Sequence, residues 1–176
     1  MTPEPAMTTT EVDPQHRWAV RQFTSGVAVL TLADPRGTHG ATVSALVAAS
    51  RDPLLIGTCL NVRSSFLRRV RDRLWFSVNV LTCQQAVLAR WFADPQRPAG
   101  DAQFANVDWH ADPISGAPLL AGALSHLTCR LTQCQPAGDH VLLLASVVAG
   151  RAGGGVPLLS FAGRLCDELA PADHLT

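Results

Sequence analysis

The sequence predicts a mainly β protein with a few helices, closed as an antiparallel barrel. Apolar and β-branched runs recur along the chain, separated by short turn segments. Helical stretches are few and do not alternate with the strands in the βαβ rhythm of a parallel sheet. Closure follows from the edges: an antiparallel sheet that curls into a barrel leaves no unpaired strand exposed. At 176 residues the chain is long enough for one domain with its own core, expected over residues 14–169. A Thr- and Pro-rich tail over residues 1–13 is expected to be disordered, and residues 170–176 form a short C-terminal tail.

Asp13-Pro14 reads as a helix N-cap followed by proline at the first helical position, with the helix running towards Phe23 and ended by Gly26. Val27 to Ala33 is a strand, Asp34-Pro35-Arg36-Gly37 a turn, and Ala41 to Ala49 the returning arm of a hairpin. Pro53 opens a third strand, Leu54 to Leu60, apolar enough to be buried on both faces. Ser64 and Ser65 precede Phe66, Leu67 and Val70, spaced as the apolar face of a short helix whose other face carries Arg68, Arg69, Arg71 and Arg73. Trp75 to Leu81 alternates as a strand, and Thr82 caps a helix through Phe92 with Val87, Leu88, Trp91 and Phe92 as its apolar face. The Pro- and Gly-rich stretch from Asp94 to Gly122 is expected to be mostly loop, anchored by Phe104 and Trp109. Leu124 to Cys134, Val141 to Gly150 and Pro157 to Leu165 are the last strands.

Composition removes several function classes. Fourteen basic residues balance fourteen acidic ones, so no global field draws nucleic acid or an anionic membrane. Every basic residue is Arg; without Lys there is no Schiff base, no pyridoxal phosphate anchor and no P-loop lysine. The longest apolar stretch, Val141 to Ala149, is interrupted by Ser146 and falls short of the ~20 residues of a membrane span. With no basic, apolar signal segment at the N-terminus, a cytoplasmic protein is expected. The five cysteines are too scattered for a disulfide framework. Cys129 and Cys134, five apart in one strand, are expected on opposite faces. No histidine falls at metal-ligand spacing, so no metal is expected, and neither Gly-x-Ser-x-Gly nor Gly-x-Gly-x-x-Gly occurs.

Three segments carry candidate chemistry. Gly40-Ala41-Thr42-Val43-Ser44-Ala45 puts small residues and two hydroxyls where a flat ligand can approach the backbone, although a tight hairpin shoulder would use the same residues. At Asn61-Val62-Arg63-Ser64-Ser65 a strand ends, an Arg appears and hydroxyls open a helix whose free amides favour a phosphate; an ordinary Ser N-cap is the alternative. Gly138-Asp139-His140 presents a histidine in a turn between strands, either as an exposed functional group tuned by Asp139 or as a structural residue.

In order along the chain, Phe23-Thr24-Ser25-Gly26-Val27, His39-Gly40-Ala41-Thr42-Val43-Ser44, Asp52-Pro53-Leu54, Phe76-Ser77-Val78-Asn79-Val80 and Leu88-Ala89-Arg90-Trp91-Phe92-Ala93 resemble the flavin reductase family. Phe104-Ala105-Asn106-Val107-Asp108-Trp109, Gly116-Ala117-Pro118-Leu119, Ala137-Gly138-Asp139-His140 and Pro157-Leu158-Leu159 continue the resemblance, which runs from about Trp18 to Arg164. It implies an antiparallel Greek-key split β-barrel of the FMN-binding type that reduces FMN or FAD with NADH or NADPH. It further implies a homodimer that passes reduced flavin to a transient flavin-dependent monooxygenase. By the same resemblance Thr42, Val43, Ser44 and Ala45 line the flavin ring, Asn61, Arg63, Ser64 and Ser65 hold its phosphate, Arg164 belongs to the cofactor site, and His140 is the catalytic residue beside the nicotinamide. The chain departs from the family pattern at Ala45, Phe66, Ser160, Phe161, Ala162 and Leu165. A flavin-binding accessory protein or a biosynthetic tailoring enzyme on the same barrel is the alternative those departures allow.

Overall fold

A computed structural model describes residues 13–166. The Asp13 carboxylate accepts from the Gln15 amide at 2.8 Å and Pro14 starts the first helix, α1, Pro14–Val20. This helix is shorter than the sequence predicts, and none of its residues is buried. A short strand β1, Ser25–Gly26, leads into the hairpin of β2, Ala28–Asp34, and β3, Gly37–Val43. The turn is held by Asp34, whose Oδ1 accepts from the Arg36 amide at 2.7 Å, and by Gly37 at φ 92°, a backbone state that disfavours a side chain.

The expected strand from Ala41 to Ala49 is two strands. The chain leaves β3 at Val43, passes through Ser44 and Ala45 outside any ladder, and resumes as β4, Leu46–Arg51. Strand β5, Leu54–Asn61, follows; it turns Ile56, Thr58 and Leu60 inward, while its ends are exposed. Helix α2, Ser65–Arg73, is capped by Ser64, whose Oγ accepts from the Leu67 amide at 3.4 Å. It buries Phe66, Leu67 and Val70 as predicted. Arg69 is buried with them because both carboxylate oxygens of Asp34 accept from it, at 2.7 and 2.8 Å, and this pairing holds the Asp34 pKa far below its ordinary value.

Strand β6, Trp75–Val80, ends one residue before the predicted Leu81. A 3₁₀ turn, Cys83–Gln85, then precedes α3, Ala86–Ala93, with Thr82 and Gln85 forming a reciprocal capping box. The buried side of α3 is Ala89 and Phe92, whereas Val87 points outward at 72 % exposure, so the predicted apolar face is rotated. The predicted loop over 94–122 holds a second 3₁₀ turn, Gly100–Phe104, and the strand pair β7, Trp109–Ala111, and β8, Pro118–Leu120. Phe104 is buried there against Phe92 and Trp109. Asp112 fastens this insert to the barrel: Ser77, Ser115 and Thr128 donate to its Oδ2 and the Ile114 amide to its Oδ1. Burial works against its charge, but those donors win and hold its pKa at about 2.

Two thirteen-residue strands, β9, Ser125–Ala137, and β10, His140–Ala152, form the longest hairpin. The last predicted strand is itself a hairpin, β11, Leu159–Phe161, and β12, Arg164–Cys166, turned by Ala162 and Gly163, both at positive φ. The main sheet has seven antiparallel strands in the order β3-β2-β6-β9-β10-β5-β4. Its two end strands, β3 and β4, are consecutive in sequence, and the sheet curls until β3 touches β5 without pairing to it. The barrel is therefore split, and its seam keeps two edges where full closure would have left none.

One core fills the barrel, around Leu30, Phe66, Phe76, Val78 and Leu143. A second lies beneath α3, around Val29, Leu81, Phe92 and Leu120. Cys134 packs against the same core as Cys129, contrary to the parity argument, because Leu144 pairs Gln133 while Ala145 pairs Leu131. Thr132 is the extra residue of a β-bulge, and one extra residue returns Cys134 to the inner face.

Candidate functional site

At the seam the chain opens into a cleft of about 850 Å³, a size that accepts a cofactor-sized ligand. One wall is the break between β3 and β4, Thr42 to Ala45; the other is the end of β5 and the start of α2, Asn61 to Ser65. His140, at the first position of β10, pairs with Asn61 across the sheet and so stands at the rim. The long-range pairing of β5 with β10 thus brings Asn61 to Ser65 and the histidine together, and the curl that sets β3 against β5 adds Thr42 to Ala45. Among the described residues no acidic side chain lines the cleft, while Arg63 and Arg97 do. An anion placed there meets positive charge and free helix amides.

The side chains do not all act as the sequence implies. Thr42 donates its hydroxyl to the Ala89 carbonyl at 2.7 Å, which ties β3 to α3. Val43 is buried in the barrel core, so it offers a ligand its backbone alone. Ser44 and Ala45 are exposed along the seam. Asn61 Oδ1 accepts from the Arg63 amide at 2.9 Å and shapes the turn into α2. Arg164 does not reach the cleft; with Arg90 and Leu165 it lines a neighbouring hollow that shares Thr42. Phe66, one of the departures from the family pattern, is fully buried, stacked on His39 and edge-on to Phe76.

The sequence reading missed a buried polar row behind the phosphate-favouring corner. The segment from Asp94 to Phe104 folds over β3, where Asp101 accepts from the amide and hydroxyl of Thr38 at 2.7 and 2.8 Å. Gln103, 1 % exposed, accepts from the Gly40 amide and from Arg97 Nε. Its amide nitrogen meets His39 Nδ1 at 3.0 Å, and His39 Nε2 meets Ser65 Oγ at 2.8 Å. Burial, reinforced by Arg69 and Arg97, pushes the His39 pKa down to about 4, so the ring is neutral near pH 7. Gly40 lets α3 come close, since a Cβ there would lie 2.5 Å from the Phe92 ring. The His39-Gly40 pair in β3, just ahead of the Thr-Val-Ser run, was the available signal, but Gln103 and Arg97 are more than fifty residues away in the sequence.

His140 Nδ1 lies 2.8 Å from Asp139 Oδ1. A carboxylate can only accept, so Nδ1 carries the proton and Nε2 is the acceptor of the neutral ring. The same contact holds the Asp139 pKa below its ordinary value.

The pattern of the flavin reductase like domain matches residues 20–168. The chain belongs to the flavin reductase family. It is 43 % identical over 173 residues, 95 % of this chain and 89 % of the other, to the NADPH-flavin oxidoreductase of Streptomyces viridifaciens. It is 36 % identical, over 85 % of this chain and 78 % of the other, to the reductase component of the 4-nitrophenol 4-monooxygenase/4-nitrocatechol 2-monooxygenase of Rhodococcus opacus. The structure of the Streptomyces globisporus C-1027 NADH:FAD oxidoreductase in complex with NAD and FAD fragments superposes with a TM-score of 0.83. It is 31 % identical, over 94 % of this chain and all of that one. The split barrel is therefore the flavin reductase fold. The residues present fit a flavin: a seam of small residues for a flat ring system, a helix N-terminus with Ser65 and Arg63 for a phosphate, and, among the described residues, no carboxylate to repel it.

Proposed function

We propose that this chain is an NAD(P)H:flavin oxidoreductase that reduces FMN or FAD in the seam cleft. The observation that carries the reading is the junction of the β3–β4 break with the N-terminus of α2, in a cleft lined by Arg63 and Arg97 and, among the described residues, by no acidic side chain. When bound, flavin and nicotinamide supply the hydride chemistry, and the protein supplies binding, orientation and exclusion of water. Ser44 and Ala45 present backbone and small side chains along the ring system. Arg63 and the first amides of α2 meet the phosphate. His140 Nε2, an acceptor held by Asp139, meets the carboxamide N–H of the nicotinamide and sets its approach. Arg164, in the adjoining hollow, contacts the more distant part of a dinucleotide.

The likeness to a monooxygenase reductase component supports a transient flavin-dependent monooxygenase as the recipient of reduced flavin. The outer face of β4, β5 and β10, with Val47 exposed and Leu142 and Leu144 half-buried, supports a homodimer, since a second copy would cover it. Among the described residues no helix is long and apolar enough to cross a membrane, and we place the reaction in the cytoplasm, where reduced nicotinamides are available. The test is to mix purified protein with FMN or FAD and NADH or NADPH and follow nicotinamide absorbance. Turnover with at least one pairing is expected, and none with any would overturn the reading.

A further inference from the structure

The buried row Arg97, Gln103, His39 and Ser65 has one consistent arrangement of protons. Two donors, the Gly40 amide at 3.2 Å and Arg97 Nε at 3.1 Å, converge on one end of the Gln103 amide, and the Gly100 carbonyl faces the other end at 3.2 Å. The first end must be the oxygen and the second the NH2 group, since a flipped amide would set donor against donor twice and acceptor against acceptor once. Gln103 Nε2 therefore donates to His39 Nδ1, and Nδ1 is unprotonated. The neutral ring then carries its proton on Nε2 and donates it to Ser65 Oγ. Ser65 lines the cleft and its hydroxyl is now an acceptor towards His39, so its own proton is left for the cleft side.

We propose that His39 is a positioning residue, set in one tautomer by Gln103, that makes the Ser65 hydroxyl an obligate donor to an anionic oxygen of the ligand, the flavin phosphate. The role rests on placing the phosphate at the start of α2. With the opposite tautomer Ser65 would donate into the protein and turn lone pairs towards the phosphate, which is repulsive. His39 and Gln103 are 7 % and 1 % exposed, so solvent does not compete for these bonds.

Nitrogen-15 NMR of the histidine rings in the purified ligand-free protein at pH 8, with the His39 signals identified by their loss in His39→Gln, reads the tautomer directly. Protonation at Nε2 is expected, and protonation at Nδ1 would overturn the proposal. The second measurement is the dissociation constants of FMN and riboflavin for wild type, Ser65→Ala, His39→Phe and the double variant. Damage to the cleft common to both ligands cancels in their ratio. Ser65→Ala and His39→Phe should each cut the preference for FMN, on the order of tenfold. The double variant should lose no more than either single one, and His39→Gln, which keeps a donor, should recover part of the preference. Additive losses in the double variant would overturn the coupling. Equal affinity of the wild type for FMN and riboflavin would instead overturn the phosphate placement, and with it the ligand assigned to Ser65, whatever tautomer the spectra give.

Discussion

His140 and Asp139 close the turn between β9 and β10, and their 2.8 Å contact leaves Nε2 as an acceptor directed by a rigid hairpin. If this histidine aligns the nicotinamide and takes no part in proton transfer, His140→Ala should leave flavin affinity nearly intact and lower the rate of flavin reduction. His140→Asn should recover part of that rate by restoring an acceptor. Stopped-flow reduction beside flavin titration separates the two effects, and a pH dependence of the rate that disappears in both variants would show proton transfer instead. Thr58 is the opposite kind of polar residue. Among the described residues its Oγ1 is buried with no hydrogen-bond partner, at 2 % residue exposure. Thr58→Val removes an unsatisfied group at nearly constant volume and should stabilise the protein by about 1 kcal/mol. Urea unfolding should show a higher midpoint at unchanged slope; a lower midpoint would mean the hydroxyl has a partner.

At the scale of elements, the start of α2 concentrates the binding chemistry. Ser64 caps the helix and Arg63 precedes the cap, while α2 itself is fastened by its buried apolar face and by Arg69 on Asp34. Because Arg63 is exposed and is not one of these anchoring residues, Arg63→Ala should not disturb the fold. It should weaken FMN by roughly ten- to a hundredfold, the range of a charge-assisted contact, and riboflavin far less, since riboflavin has no phosphate. Fluorescence titration with both ligands measures this, and equal losses would move the phosphate elsewhere. α2 was legible because Phe66, Leu67 and Val70 keep helical spacing after two serines. The rotated face of α3 was not, because Ala89 gives a weak hydrophobic signal and what it packs against, Thr42 and the second core, lies far away in sequence.

At the scale of the molecule, the outer face of β4, β5 and β10 keeps Val47 exposed and Leu142 and Leu144 half-buried. Interfaces of stable complexes bury roughly 800 Å² per partner and are apolar at their centre, and the proposed homodimer would use this face as that centre. Light scattering at micromolar concentration should give twice the 18.7 kDa chain mass. A Val47→Glu, Leu144→Glu variant should shift it towards the monomer by burying charge in the interface. A monomer mass for the wild type would contradict the homodimer.

Sequence alone set the strand-rich class, the hairpin at Asp34 to Gly37, the helices capped at Asp13 and Ser64, and the segments that line the cleft. Each of these is written in local signals: turn residues, caps and short-range periodicity. Tertiary structure alone decided the rest. The break at Ser44 and Ala45 exists because the seam stays open, and a strand that stops pairing looks in sequence like one that continues. The bulge at Thr132 exists because two long strands must bend around the barrel, and one unmatched residue leaves no mark in composition. The row from Arg97 through Gln103 and His39 to Ser65 joins residues up to 64 positions apart, and its proton order follows from which atoms face one another in the buried interior.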